Sequence, residues 1–394
     1  MNIIILGAGF GGITVATRLA DAVKGAHKIT LIDRKDSFFM GLAKLWVLVG
    51  ERPPEEGRKP LNTLVARGVE VIQDEIRRID VPSKTVVIKS KILTCDYLVI
   101  AMGAETSIEA VLGLPSAANL YDVANIPGLR DQLKIVKEGE VAIVVCGTPY
   151  KCPPAPYECA MLVDYALRKR KVRQSVKISV YIPEERPMTV AGPSAGEQVM
   201  KMLEEKGIKV EPQHKVVKVD PSKKKLFFEN GHEHEYSVLL AIPPHIAPYA
   251  VKNAGLTDAS GWITVAPDTL SIINPQSAIL NPQSTVFAIG DVTSMKLPGG
   301  GMLPKAGIMA ECQGEVVADH ILASLEGKTS TKTFDGKGYC YFEAGDHQAR
   351  KVVGDFFADP ATRTTIEPPS EENFRLKQQF EQERLTRWFS GESK

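Results

Sequence analysis

The chain has 394 residues, of which 44% are apolar and 24% are charged, and its formal net charge at pH 7 is +1. This composition is typical of a soluble globular protein long enough for two or three domains. A net charge so close to zero argues against a general nucleic-acid-binding protein, and no segment approaches the ~20 consecutive apolar residues of a membrane span.

The first element predicted is a buried strand that runs into a glycine-rich turn. Residues 3–12 read IIILGAGFGG, which places G-x-G-x-x-G at Gly7, Gly9 and Gly12. A helical pattern and a second strand, Ile29 to Ile32, follow, and that strand ends on Asp33. In such a unit the glycines let the backbone approach a pyrophosphate, and the acid binds a ribose hydroxyl. The segment therefore predicts a dinucleotide site.

A second copy of this unit begins at Val141, with strands predicted at Val141–Gly147, Val176–Ile182 and Val238–Ile242. Its turn reads GTPYKCPPAP from Gly147 to Pro156, with one glycine and four prolines. Prolines cannot donate amide hydrogens to a phosphate. We therefore expect the second site to have lost dinucleotide binding and to be built around Cys152.

These repeats predict an α/β fold of two tandem Rossmann-like nucleotide-binding domains, each with three layers, plus a C-terminal α+β cap. Residues 1–105 and 273–328 form the first domain, with a β-rich insert at 69–93. Residues 106–272 form the degenerate second domain, and 329–394 form the cap. Within 273–328, residues 285–291 predict a strand that ends in Gly290-Asp291, and 306–324 predict a helix.

Several segments resemble known flavoproteins. Gly7 to Gly12, Ala101-Met-Gly103 and Ala288-Ile-Gly290-Asp291 are similar to the FAD-binding segments of flavoproteins with two dinucleotide domains. The segments CPPAPYE (152–158), PPHIAP (243–248), LPKAG (303–307) and GYCY (338–341) resemble sulfide:quinone oxidoreductases and the flavoprotein subunit of flavocytochrome c sulfide dehydrogenase.

The resemblance implies a flavin-dependent oxidoreductase that binds FAD. Asp291 would bind the ribityl chain, and Lys305, just before a helix, would face the N1/O2 edge of the reduced flavin. The cofactor-binding residues expected on this basis are Gly7, Gly9, Phe10, Gly12, Asp33, Arg34, Ala101, Gly103, Gly290, Asp291, Pro304 and Lys305. No Cys-x-x-Cys or Cys/His cluster in the sequence suggests a metal.

The resemblance also implies that Cys152 and Cys340 form one redox-active unit, directly linked or bridged by sulfur. Cys152 would receive the sulfur of sulfide, and Cys340 would lie beside the flavin, flanked by Tyr339 and Tyr341, which would shield the ring or stack on a quinone. The product would be a persulfide or polysulfide. Glu158 is either a base that takes the substrate proton or a solvated glutamate at a helix start. Cys95, Cys146, Cys159 and Cys312 are interpreted as structural, and His245 as a surface turn residue.

The electron acceptor stays open at this point. The third cysteine that many sulfide:quinone oxidoreductases carry has no counterpart between Leu120 and Gln132, a pattern closer to the flavocytochrome subunit. Yet that subunit is exported, and this sequence starts on a strand without a signal peptide. We therefore expect a quinone acceptor, with a cytochrome as the alternative. The sequence is also compatible with a type II NADH dehydrogenase and with a non-catalytic flavoprotein that binds a partner.

The C-terminal run 374–389 mixes aromatic and charged residues with an imperfect amphipathic pattern. A helix there could rest on a membrane, pack on the flavin domain or contact another subunit, so peripheral membrane association and a homo-oligomer both stay open. The expected location is the cytoplasm, on the cytoplasmic face of the membrane if the helix binds there. No nucleic-acid partner is expected.

Overall fold

The computed structural model describes residues 1–273 and 284–390. The second segment of the first domain is predicted at residues 273–328. Its residues 274–283 lie outside the described residues.

Up to residue 106, apolar strands alternate with helices. The elements are β1 (Asn2–Leu6), α1 (Phe10–Val23), β2 (Lys28–Asp33), β3 (Ser37–Phe39), α2 (Ala43–Val49), β4 (Arg58–Pro60), β5 (Val69–Gln73), β6 (Ile76–Asp80), β7 (Thr85–Ile88), β8 (Ile92–Thr94), β9 (Tyr97–Ile100) and β10 (Glu105–Thr106).

The same alternation recurs in the following part of the chain. Its elements are α3 (Ile126–Ile135), β11 (Gly139–Val145), α4 (Ala155–Lys169), β12 (Val176–Tyr181), α5 (Pro193–Glu204), β13 (Lys209–Glu211), β14 (Val216–Asp220), β15 (Lys225–Phe228), β16 (Glu233–Glu235), β17 (Val238–Ile242), β18 (His245–Ile246), α6 (Tyr249–Asn253) and β19 (Ile263–Thr264).

The remaining described elements combine one long helix, an antiparallel sheet and a final helix. They are β20 (Val286–Ala288), β21 (Thr293–Ser294), α7 (Gly307–Leu325), β22 (Lys337–Gly345), β23 (Gln348–Asp355), β24 (Arg363–Ile366) and α8 (Glu371–Phe389).

Two parallel sheets form the frame of the molecule. The first has the strand order β20-β9-β1-β2-β5, and the second has the order β13-β12-β11-β17. Strands β9, β1 and β2 of the first sheet are almost completely buried, as strands covered by helices on both faces must be. Strand β20 joins the first sheet next to β9 although more than 180 residues separate them in sequence. The chain therefore returns to its first sheet after completing the second, as the sequence predicts.

The predicted insert at 69–93 needs a correction. Val69–Gln73 is the edge strand of the first parallel sheet, where it pairs with β2. Only β6, β7 and β8 form a separate antiparallel sheet, and β14, β15 and β16 form a matching one on the second parallel sheet. Apolar alternation alone does not distinguish an edge strand of a parallel sheet from an antiparallel strand.

Helix α8 packs against the rest of the chain. It begins after Ser370, whose side chain accepts a hydrogen bond from the backbone of Asn373. At its other end Trp388 is almost fully buried, and its ring contacts the rings of Phe10 and Phe38 edge-on, with centroids 5.3 and 5.5 Å away. The helix therefore packs on the first domain, and contact with a membrane or with another subunit stays a prediction. None of the described helices is long and apolar enough to span a bilayer.

Candidate functional site

The glycine turn between β1 and α1 has the geometry that a dinucleotide needs. Gly7 has φ +98°, and a Cβ atom there would overlap the carbonyl of Ala101. A Cβ atom on Gly12 would overlap the carbonyl oxygen of Gly7, so this glycine permits the close approach of helix and turn. Above Gly9 there is no atom within 4 Å of an added Cβ, which leaves open space at the N-terminus of α1. That space is where a pyrophosphate would receive amide hydrogens.

Asp33 lies at the end of β2, directly beside this turn. One of its carboxylate oxygens accepts from the backbone nitrogen of Ala8 at 2.7 Å, and the other accepts from that of Lys35 at 2.9 Å. These bonds fix the carboxylate while each oxygen keeps a lone pair for a ribose hydroxyl. Its neighbour Arg34 is exposed and forms an ion pair with Glu105 at 2.9 Å.

The other predicted cofactor residues from the first half lie near the turn. Ala101 follows β9 and contacts Gly7, and Gly103 adopts φ +67°. Phe10 begins α1, and its ring lies against Gly307 at the start of α7. These residues therefore surround one end of the first parallel sheet.

A small pocket joins the predicted residues of the late segment. Gly290, Asp291, Pro304 and Lys305 all line it. The backbone nitrogen of Gly290 donates to the side chain of Gln313 at 2.7 Å, which ties the Gly-Asp turn to α7. The sequence analysis had selected all four residues. The fold brings the pair Gly290-Asp291 and the pair Pro304-Lys305, which are more than ten positions apart in sequence, to one cavity.

Lys305 makes contacts that the sequence did not indicate. Its ammonium group is buried and donates to the carbonyl oxygens of Asp291 and Thr293 at 2.7 and 2.9 Å. It also lies 3.4 Å from the ring centroid of Trp262. Burial lowers the pKa of Lys305 to about 8, with Asp291 acting in the opposite direction. In this arrangement Lys305 holds the Asp291 turn, and its role at the edge of the flavin stays a prediction.

The turn that carries Cys152 is bound to this same segment. The backbone nitrogen of Cys152 donates to the carbonyl of Lys305 at 2.6 Å, and its carbonyl accepts from Ala155 at 2.9 Å. Cys152 has φ +56°, a left-handed backbone that non-glycine residues seldom adopt. Helix α4 begins three residues later. The fold therefore places the cysteine turn of the second domain against the segment of the first domain that is expected to bind the ribityl chain.

Cys152 is an exposed residue as a whole, but protein atoms surround its thiol closely enough to change its acidity. Burial raises the pKa of Cys152 to about 12, and the carboxylate of Glu158 acts in the same direction while Lys44 opposes it. Cys340 is a free thiol too, and its pKa is raised by burial, by the charge of Cys152 and by Glu158. The structure therefore brings both cysteines and Glu158 into one electrostatic neighbourhood.

Strand alternation separates Cys340 from the two tyrosines that flank it. Cys340 packs with the core beneath the second sheet, whereas the rings of Tyr339 and Tyr341 lie against Phe380 of α8, with centroids 5.8 and 6.2 Å away. Neighbouring residues of a strand point to opposite faces. The tyrosines consequently contact helix α8 and do not share the face of the cysteine.

Glu158 is not a solvated glutamate at a helix start. Its side chain is 7% exposed and forms an ion pair with Lys377 of α8. Lys377 also contacts Glu343 at 2.8 Å, and the indole nitrogen of Trp46 donates to Glu343 at 2.7 Å. Burial raises the pKa of Glu158, and Lys377 opposes the shift. We name these four residues, Glu158, Glu343, Lys377 and Trp46, the buried ionic cluster.

The interpretation of His245 as a surface residue is wrong. Its ring is 5% exposed, and its Nδ1 lies 3.0 Å from the carbonyl oxygen of Pro243. It meets the ring of Tyr121 edge-on with centroids 5.2 Å apart. Prolines on both sides suggested an exposed turn, but His245 lies in strand β18, which pairs with β10.

The other cysteines lie where structural residues are expected. Cys146 and Cys159 are buried in the second domain, and burial raises the pKa of Cys146 to about 12. Cys95 and Cys312 are half-buried, and burial raises the pKa of each to about 11. Their enclosure among apolar residues agrees with a packing role.

Two nucleotide-type domains, one with an intact glycine turn and one with a cysteine turn, define a flavin-type disulfide oxidoreductase. Residues 1–314 match the family of pyridine nucleotide-disulphide oxidoreductases, and the chain belongs to this family.

Relatives with curated functions narrow the comparison. The mitochondrial sulfide:quinone oxidoreductase of Mus musculus is 25% identical over 375 residues, which cover 91% of this chain and 79% of that protein. The sulfide-quinone reductase of Aquifex aeolicus (strain VF5) is 25% identical, with 94% and 85% covered. The X-ray structure of the sulfide:quinone oxidoreductase from Aquifex aeolicus superposes with a TM-score of 0.87 at 23% identity, over 99% of this chain and 92% of that one.

These matches confirm the predicted resemblance, the α/β fold, the oxidoreductase class and the FAD cofactor. The geometry fits such a cofactor, because three features lie just after the carboxyl ends of strands in one sheet. They are the open space at Gly9 after β1, the fixed carboxylate of Asp33 at the end of β2, and the pocket at Asp291 after β20. The individual site residues and the domain boundaries stay predictions.

Proposed function

We propose that this protein oxidises sulfide with FAD and passes the electrons to a quinone. The observation that carries the proposal is the cysteine turn: its backbone is hydrogen-bonded to Lys305 in the flavin domain, and its thiol shares a neighbourhood with Cys340 and Glu158. The sulfide:quinone oxidoreductase relatives support the substrate and the acceptor.

The sulfur chemistry runs between Cys152 and Cys340 in their oxidised, bonded form. Hydrosulfide attacks the sulfur of Cys152, the bond to Cys340 breaks, and the products are a persulfide on Cys152 and a thiolate on Cys340. We infer that Glu158 accepts the proton that the substrate releases, because its raised pKa makes it a stronger base than a surface carboxylate. Bound FAD would supply the two-electron acceptor, and oxidation of the persulfide and the thiolate would join Cys152 and Cys340 through the added sulfur. Transfer of that sulfur to a further hydrosulfide, which leaves as hydrodisulfide, would restore the direct bond between Cys152 and Cys340.

The test is an anaerobic titration of the purified yellow protein, first with sulfide and then with NADH. We expect sulfide to bleach the flavin and NADH to do so poorly, since Pro149, Pro153 and Pro154 replace the amide donors of a phosphate turn. Fast, saturable bleaching by micromolar NADH, with none by sulfide, would instead assign a type II NADH dehydrogenase. If neither bleaches the flavin, a non-catalytic flavoprotein is the better account.

The acceptor and the location follow from the same proposal. We infer that a short-chain quinone reoxidises the reduced flavin faster than a soluble cytochrome does, as the names of the relatives suggest, and that the protein meets its quinone at the cytoplasmic face of the membrane. Stopped-flow reoxidation and membrane fractionation measure these two points. Faster reoxidation by a cytochrome would support a flavocytochrome-like partner, and recovery only in the soluble fraction would oppose membrane association.

A further inference from the structure

Two lysines next to Cys152 share one aromatic ring. The ammonium nitrogen of Lys44, in α2, lies 4.5 Å from the ring centroid of Tyr121, and that of Lys151 lies 5.6 Å from it. The hydroxyl of Tyr121 donates to the carbonyl of Lys151 at 2.6 Å and so fixes the residue before Cys152. A ring face attracts cations, so Tyr121 keeps together two like charges that would otherwise separate.

Among the described residues, neither of these two charges has a carboxylate partner. Within residues 1–273 and 284–390, the polar contact of the Lys44 ammonium is the carbonyl of Tyr121 at 3.5 Å, and neither lysine forms an ion pair. Burial lowers the pKa of Lys44 to about 7, with Lys151 and Lys35 acting in the same direction and Cys152 and Asp122 against it. The pKa of Lys151 is lowered by burial and by Lys35, against Asp291 and Cys152. Crowded, desolvated cations of this kind are stabilised by a bound anion.

His245 adds an unpartnered nitrogen to the same cluster. Its Nδ1 must carry the hydrogen, since the carbonyl of Pro243 only accepts, and this leaves Nε2 as a bare acceptor. That nitrogen is buried and has no hydrogen-bond partner among the described residues. Burial and the charge of Lys151 lower the pKa of His245 to about 3, so the ring is neutral at physiological pH.

A ligand that suits this cluster is a small monoanion that can also donate a hydrogen. We propose that Lys44, Lys151, Tyr121 and His245 form the site that binds the hydrosulfide anion before it attacks the sulfur of Cys152. The negative charge would lie near the two ammonium groups, and its S–H hydrogen would be donated to Nε2 of His245. This inference rests on the proposed function and assigns residues to its substrate. The pyrophosphate of the cofactor is a second anion with similar chemistry, so the test must separate the two.

The test uses two alkylating probes that differ in charge. The cofactor-loaded protein with reduced thiols is treated with iodoacetate, an anion, or with neutral iodoacetamide, and the modification of Cys152 is followed by peptide mass. Both probes require the thiolate, so the ratio of their rates cancels changes in thiol pKa and reports the local potential. Lys151→Met, and Lys44→Met at a pH below about 7 where Lys44 is charged, should each lower the iodoacetate-to-iodoacetamide ratio at least about threefold, as one unit charge a few Å away predicts.

Matched variants control for indirect effects. Lys44→Arg should keep the ratio because it keeps the charge, and Lys223→Met, on an exposed turn, should leave it unchanged. Tyr121→Phe retains the ring and should keep most of the ratio, whereas Tyr121→Leu should lower it. An unchanged ratio in both Lys→Met variants would overturn the proposal.

A second arm distinguishes the two anions. The apparent dissociation constant for sulfide, from anaerobic bleaching rates, should rise at least about threefold in Lys44→Met while the bound FAD per chain stays constant. Loss of bound FAD with an unchanged dissociation constant in the loaded fraction would show that the lysines serve the pyrophosphate and would overturn the proposal. The alkylation experiment uses no sulfide, so an unchanged ratio would refute the anion site without contradicting the proposed oxidation of sulfide. Equally, the variants could lower the ratio in a protein that does not oxidise sulfide.

Discussion

Lys377 offers the sharpest test of the packing around the candidate site. Its side chain is 2% exposed, and its ammonium group is shared by Glu158 of α4 and Glu343 of β22. Replacing it with methionine keeps most of the side-chain volume and removes the charge. Lys377→Met therefore leaves two carboxylates buried side by side, with Trp46 as the one remaining donor to Glu343 within the buried ionic cluster.

The expected loss is about 3–5 kcal/mol, because removing one partner of a buried ion pair leaves an uncompensated charge. One of the two glutamates must then take up a proton. The pKa of Glu158, already raised by burial, rises further above its unfolded value of about 4.3. The folded chain then binds a proton that the unfolded chain releases, so stability falls as pH rises through that interval, and the penalty should be larger at about pH 8 than at about pH 5.

Urea unfolding at a fixed FAD concentration measures this effect. The midpoint should fall by roughly 1 M or more for Lys377→Met. The matched control is Arg375→Met, two residues away on α8, because Arg375 is exposed and pairs with Glu372 on the surface. A surface pair is worth less than about 1 kcal/mol, so the control should stay near the wild-type midpoint. Equal midpoints for both variants, or a Lys377→Met penalty that does not change with pH, would refute the reasoning.

Three further outcomes are expected. Cys152→Ser and Cys340→Ser should each slow sulfide-driven flavin reduction about a thousandfold, and the double variant should be little slower, since residues that act as one unit give non-additive losses. The control variants Cys95→Ser and Cys312→Ser should reduce the flavin at nearly the wild-type rate. Additive losses in the double variant would show that Cys152 and Cys340 do not act as one unit. Gly9→Ala places a methyl group in the open space at the glycine turn and should weaken FAD binding at least about tenfold, as measured by fluorescence titration. Gly128→Ala, which also places a methyl group in open space, should leave the affinity for FAD unchanged. Equal FAD affinities of the two variants would show that the pyrophosphate does not bind at the Gly9 turn. Truncation after Pro369 removes Lys377 and Trp388 from the core, so we expect an unstable chain by thermal unfolding, and a stable truncated protein still bleached by sulfide would contradict the packing of α8.

Local patterns sufficed for much of the fold and part of the site. The strand, glycine turn, helix and acid at residues 3–33 form a continuous unit whose spacing is fixed by backbone geometry, so Gly7, Gly9 and Asp33 could be placed from sequence. The prolines around Cys152 likewise indicated a turn that no longer binds phosphate.

The contacts between distant segments could not be predicted in this way. Lys377 reads as one charge among many in a mixed helix, and its burial depends on Glu158 and Glu343, which approach from other elements. His245 looked exposed because prolines flank it, and the pairing of β18 with β10 is not encoded locally. Trp262 carried no motif that linked it to Lys305. Each miss involves a tertiary contact that overrides a local preference.

The position of the transferred sulfur tests the central claim most directly. The oxidised, FAD-loaded protein is mixed anaerobically with less than one equivalent of sulfide, quenched with an alkylating reagent and analysed by peptide mass. The account predicts one added sulfur atom on the peptide that contains Cys152 with an alkylated thiol at Cys340 before the flavin bleaches. Once the flavin has bleached in proportion to the sulfide added, it predicts that the added sulfur bridges Cys152 and Cys340 and that Cys340 is no longer alkylated. Bleached flavin with no added sulfur on Cys152, or with sulfur on Cys95 or Cys312 instead, would contradict it.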